Sequence, residues 1–187
     1  ISLLERVQAN AGDHVTVLDI SMAKNREALS RLLQRGVKID YVDHHAFGDM
    51  PVHKNLNATI SEAPEVCTAL IVNGRLRGAR VEWAITGAFG DNLDEPARQM
   101  AAKANLSAPE IKQLRELGIC INYNGYGPSL EDLHFHPDSL YSALYEAGNP
   151  AAFLHSEAFR QLQVGYQEDV AAFQALAPSH EEPGFAT

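Results

Sequence analysis

From residue 13 onward, apolar runs alternate with a helical stripe. "HVTVLDIS" is an apolar run that closes on Asp19, the pattern of a strand buried on both faces. In "KNREALSRLLQRG" the apolar positions Ala28, Leu29, Leu32 and Leu33 recur at helical spacing, and Gly36 stands where a helix would stop. "VKIDYV" predicts a second strand, with Asp43 at its C-terminal end. Strand, helix and strand in this order form a right-handed crossover in a parallel sheet. Ligands of such sheets gather at the carboxyl ends of the strands. Asp19 and the triplet Asp43, His44, His45 are therefore expected on one sheet edge.

Farther along, "TALIVNGRL" reads as a helix capped by Thr68, and "ARVEWAITGAFGDN" as a buried helix ending at Gly90, Asp91 and Asn92. After Asp91 the texture changes. "EPARQMAAKAN", "APEIKQLREL", "PDSLYSALYEA" and "SEAFRQLQVGYQEDVAAFQAL" are amphipathic helix candidates, separated by Pro96, Pro109, Pro137 and Pro150. The expected architecture is an α/β domain over residues 1–93, a parallel sheet with flanking helices, followed by an all-helical segment over residues 94–187.

With 187 residues, 45% of them hydrophobic, the chain is able to bury an ordinary core. Fifteen basic against 24 acidic residues give a net charge of −9. That balance argues against a broad phosphate-gripping surface and mildly favours a small substrate over long DNA. "ISLLERVQANAGDH" does not read as a signal peptide, and no apolar run is long enough to cross a membrane. Cys67 and Cys120 are too few for a disulfide framework and read as small core residues. A cytoplasmic setting, without a membrane partner, is the expectation.

Three acid-or-histidine sites each terminate an apolar element: Asp19 in "VLDIS", residues 42–45 in "VDHH", and Asp91 in "AFGDN". Taken singly, Asp19 reads as a strand-end or capping aspartate and Asp91 as a turn residue. Adjacent histidines after a buried strand are costly without partners, which points to metal ligation. This order resembles the DHH phosphoesterase superfamily, which includes RecJ-type exonucleases, nanoRNA and cyclic-dinucleotide phosphodiesterases, and family II inorganic pyrophosphatases. The resemblance runs over about residues 13–95.

The resemblance implies a role for each residue. Asp19 would be the carboxylate that bridges two metal ions, His44 a ligand to one of them, and Asp91 a further metal-binding carboxylate. Asp43 would hydrogen-bond and orient His44, and His45 would face the phosphate as a proton donor or an oxygen contact. Together they imply a hydrolase acting on phosphoric esters of small phosphorylated or nucleotide substrates, short oligonucleotides included, through a water activated by two divalent ions. Carboxylate-rich ligation with one imidazole favours Mn or Mg, and a pair ~4 Å apart suits phosphoryl chemistry. Pyrophosphatase-like cleavage of an anhydride is the alternative reaction; a non-catalytic nucleotide-binding or regulatory protein is the alternative class.

The family's first motif, a His-x-Asp-x-Asp loop, has no counterpart before Asp19, where Glu5, Asp13 and His14 are the only ligand types. This chain is therefore expected to hold an incomplete copy of the active site; an N-terminal strand and loop ahead of Ile1 is the favoured expectation, and a degenerate copy is the alternative. "LAPSHEEPGFAT" carries no glycine-histidine-rich substrate motif.

Other candidates are weaker. Arg75, Arg77 and Arg80 in "NGRLRGAR" either complement a helix dipole or clamp phosphate. His134 and His136 in "LHFHPD" alternate as on an extended segment, though Pro137 and Asp138 look like a helix start, which favours a polar loop. Tyr123 and Tyr126 in "NYNGYGPS" suit either a packed turn or base stacking.

Overall fold

The computed structural model describes residues 3–176, together with 181–182 and 185–186. It divides into two compact units, Ile1–Arg115 and Glu116–Thr187. No described helix is long and apolar enough to cross a membrane.

The first unit is built on a three-stranded parallel sheet of β1 (His14–Leu18), β2 (Lys38–Asp43) and β3 (Leu56–Ile60), in that order. Helix α1 (Arg26–Gln34) joins β1 to β2. Its Ala28, Leu29, Leu32 and Leu33 are all buried, in one cluster with Val17, Val37, Ile39 and Tyr41. Burying each leucine contributes about 1.5–3 kcal/mol. Gly36, at φ 84°, ends the helix by donating its N–H to the Leu33 carbonyl at 3.0 Å.

Two expectations differ. β1 is not buried on both faces: Val15 and Val17 turn to the core, while Thr16 is exposed and Leu18 is 47% exposed. The reason is its position at the edge of the sheet, with β2 as the central strand. β3 was not expected, because "LNATI" is short and carries only the alternation Leu56, Ala58, Ile60. It pairs in register with β2, Ile39 against Leu56 through Asp43 against Ile60.

A second core lies around α2 (Thr68–Arg75), α3 (Val81–Gly90), α4 (Asp94–Lys103) and the start of α5 (Ala108–Tyr123). Cys67, Ile85, Ala88, Phe89, Ala97, Ala101 and Leu114 form it. The change of texture near residue 93 is therefore not where the chain divides into compact units. α4 and the first turns of α5 share the core of α3, and the division follows Arg115. Gly87 of α3 faces α2 so closely that a Cβ there would lie 2.6 Å from the Ala69 Cβ. The missing side chain lets the two helices meet.

The second unit takes in the end of α5 and the helices α6 (Pro137–Ala147), α7 (Pro150–Phe153) and α8 (Glu157–Gln174). Pro137 and Pro150 each occupy the first position of their helix, where the missing N–H costs nothing.

Candidate metal centre

β1 and β2 run parallel, so the residues that follow them emerge on the same edge. Asp19 follows β1 and adopts φ 60°, a left-handed conformation that aspartate tolerates better than most residues. Its N–H extends the ladder to the Val42 carbonyl at 3.0 Å. Its Oδ1 accepts a hydrogen bond from the Thr68 hydroxyl at 2.7 Å.

His44 leaves the end of β2 with its ring half-buried. Its Nδ1 lies 3.1 Å from the Val66 carbonyl, which only accepts, so Nδ1 carries the proton. Nε2 then faces Asp19 Oδ1 at 3.4 Å and Asp91 Oδ2 at 3.7 Å. Asp91 reaches this point from the C-terminal end of α3, where its N–H is held by the Gly87 carbonyl. His44 Nε2 therefore lies within 4 Å of both carboxylates at the sheet edge, while the group whose ligand atoms all lie within 4.8 Å of one another is Asp19, His44 and His45.

These spacings are informative. Both exceed the reach of a good N–H···O hydrogen bond. The 3.4 Å spacing matches the ~3.3–3.6 Å edge of a tetrahedral site with bonds of ~2.0–2.2 Å, and the 3.7 Å spacing is slightly wider. An octahedral Mn or Mg site would draw both in to about 3 Å. Without a proton on Nε2 or a cation between them, an imidazole lone pair would face two carboxylates.

Asp43 corrects one expectation. It is fully buried, and its Oδ1 accepts from His45 Nδ1 at 2.7 Å; it makes no such bond to His44. The chain leaves β2 at His44, whose ring turns to the Val66 side, so the carboxylate meets the next residue along. Asp43 Oδ2 has no hydrogen-bond partner among the described residues. His45 Nδ1 being engaged, its Nε2 is the free ring nitrogen, and Asp19, His44 and His45 bring ligand atoms within 4.8 Å of one another.

The electrostatics follow from crowding. Burial pushes the Asp91 carboxyl above its ordinary range, the Asp19 charge adds to this, and His44, His45 and the Cys67 thiol oppose it. Burial also raises the Cys67 thiol, with the charges of Asp91 and Asp19 contributing in the same direction.

Thr68 corrects a second expectation. It is the first residue of α2 rather than its cap; Cys67 holds the capping position, without a side-chain cap bond. Reading Thr68 as a cap missed its contact with Asp19, and nothing in the local pattern distinguishes the two uses of a hydroxyl at a helix start.

The arginines are differently employed. Arg75 pairs with Asp40 at 2.6 Å, and Asp40 also accepts from Asn57. Arg77 sits in a left-handed turn beyond α2, and the Arg80 N–H is held by Asn73. Among the described residues, no hydrogen bond or ion pair joins these three to the cluster. In the second unit His134 pairs with Asp169 at 2.8 Å and stacks on Tyr123, whose hydroxyl donates to the same Asp169 oxygen. His136 caps α6 by accepting from the Asp138 N–H. That is the local role the following Pro137 suggested.

The chain matches no protein-family model, no curated protein and no solved structure.

Proposed function

We propose that this protein is a metal-dependent phosphoesterase of the DHH type. Asp19, His44 and Asp91 would hold a divalent cation, Mn or Mg by their oxygen-rich chemistry. The observation that carries the reading is the orientation of His44: its Nδ1 is occupied by Val66, and its Nε2 faces two carboxylates at 3.4 and 3.7 Å.

Divalent ions at such a centre supply Lewis acidity toward phosphoryl oxygens. The chain's own residues do the rest. Asp43 orients His45 through Nδ1, so that Nε2 would face a phosphoryl or leaving-group oxygen as a proton donor or a contact. The wholly buried carboxylate keeps that ring from turning, as the acid of a catalytic dyad must. The substrate class is a small phosphate ester or nucleotide, in keeping with the net charge of −9.

The test is hydrolysis with and without Mn²⁺, assayed on this chain and on the full open reading frame. The panel comprises bis-p-nitrophenyl phosphate, pyrophosphate, short oligonucleotides and cyclic dinucleotides. Mn-dependent cleavage of an ester by the full open reading frame is the expected result. Preference for pyrophosphate moves the reaction to anhydride hydrolysis. Nucleotide binding without turnover assigns a regulatory module instead.

A further inference from the structure

Two residues at the head of α2 meet two of the candidate ligands. The Val66 carbonyl accepts from His44 Nδ1 at 3.1 Å. The Thr68 hydroxyl donates to Asp19 Oδ1 at 2.7 Å.

The local structure is arranged at some expense to the helix. A Ser, Thr, Asp or Asn in the capping position would stabilise α2 by about 1 kcal/mol. Cys67 stands there instead, with no side-chain cap, and the one hydroxyl nearby is turned away to Asp19. Thr68 is buried, so its methyl group packs while its hydroxyl has a single fixed direction. The platform beneath it is rigid as well, because Gly87 brings α3, the helix that ends at Asp91, into close contact with Ala69 of α2.

The oxygen that Thr68 engages is also the one nearest His44 Nε2. A carboxylate oxygen has two lone pairs. With one committed to Thr68, the other is left directed at the space shared with His44. Without the hydroxyl, the half-exposed Asp19 side chain is free to rotate about χ1.

We infer that Thr68 is a positioning residue, which locks the Asp19 carboxylate toward the space it shares with His44. Its consequence for cation affinity rests on the metal reading given above; its consequence for Asp19 does not. Groups that hold a ligand in place typically account for 10–100-fold in metal affinity.

The experiment compares the wild type with Thr68→Val, Thr68→Ala and Thr68→Ser in two measurements. The first is the set of three-bond couplings that report the Asp19 χ1 rotamer in metal-free protein. The second is Mn²⁺ affinity by titration calorimetry. Valine preserves the buried shape and removes only the hydroxyl, and alanine repeats the removal should valine fail to fold. A single Asp19 rotamer is expected in the wild type and in Thr68→Ser, with averaging over rotamers once the hydroxyl is gone. Mn²⁺ affinity should fall about 10–100-fold with it and return in Thr68→Ser. A fixed Asp19 rotamer in a folded variant without the hydroxyl overturns the inference, as does unchanged Mn²⁺ affinity. If the wild type binds no Mn²⁺ while loss of the hydroxyl still frees Asp19, the metal reading fails and the positioning role stands.

Discussion

Asp43 and His45 form a hydrogen-bonded pair at 2.7 Å, while His44, the residue between them, turns its own Nδ1 to the Val66 carbonyl at 3.1 Å. Adjacent histidines are thus oriented by different groups from different segments. One is tied to a buried carboxylate and the other to a backbone carbonyl, so each can be disturbed alone. Their rings lie 4.6 Å apart, tilted by 57°, and a ligand atom of each lies within 4.8 Å of Asp19.

This separation predicts different outcomes for the two alanine variants in the active protein. His44→Ala removes a first contact of the cation and should empty the site. His45→Ala should keep its cation and lose about 10²–10⁴ in turnover, the usual loss for one transition-state proton donor or hydrogen bond. Metal content measured beside turnover separates the two. If His45→Ala loses the ion and His44→Ala keeps it, the roles are reversed.

Asp43→Ala tests which histidine Asp43 serves. Its removal takes away a buried carboxyl group with one oxygen unpartnered among the described residues and leaves a half-exposed His45, so the domain should still fold. His45 is then free to rotate, and turnover should drop about 10–100-fold with Mn²⁺ affinity unchanged. A loss of Mn²⁺ affinity would mean that Asp43 acts through His44, the arrangement the family resemblance implied.

The sequence shows some of these features plainly and hides others. α1 is legible because Ala28, Leu29, Leu32 and Leu33 repeat at helical spacing and Gly36 marks the stop. Asp19, His44 and Asp91 are legible as a group because each closes an apolar element, and parallel strands deliver such ends to one edge. β3 is not, since three alternating apolar residues in a polar stretch are also what a loop contains. Nor is the pairing of Asp43 with His45, which depends on side-chain torsions where the chain leaves β2. The contact of Thr68 with Asp19 spans 49 residues, and no local pattern encodes it.

The raised Asp91 carboxyl makes the metal-free protein sensitive to pH. Burial and the Asp19 charge disfavour its ionised form, so the folded state holds this proton to higher pH than the unfolded chain does. The stability it contributes is present below the unfolded value of about 4 and is lost as pH rises through the folded value. Thermal melts in chelator between about pH 4 and pH 7 should show that decline, and Asp91→Asn should flatten it and melt higher at neutral pH. Saturating Mn²⁺ should restore the wild type, because a cation favours the carboxylate. A decline of equal slope in Asp91→Asn would assign the pH dependence to another group.

Asp19 combines an unusual backbone conformation with a specific side-chain task, and three substitutions separate the two. At φ 60° a residue with a Cβ is strained, and asparagine tolerates this conformation nearly as well as aspartate does. Asp19→Asn keeps that tolerance and an oxygen to accept from Thr68, so its stability should stay within about 0.5 kcal/mol of the wild type. It removes the charge, however, and Mn²⁺ binding should be lost. It should also bring the Asp91 carboxyl back toward its ordinary range, since the Asp19 charge is second only to burial in raising it. Asp19→Ala retains the strain, loses the Thr68 bond and should cost about 1–2 kcal/mol. Asp19→Gly relieves the strain, so it should be more stable than Asp19→Ala by about 1 kcal/mol and equally unable to bind the ion. Melting temperatures and Mn²⁺ titrations of the three variants check the ordering. If glycine is no more stable than alanine, the left-handed turn is not what strains this position. If asparagine retains Mn²⁺ affinity, the carboxylate of Asp19 is not a ligand.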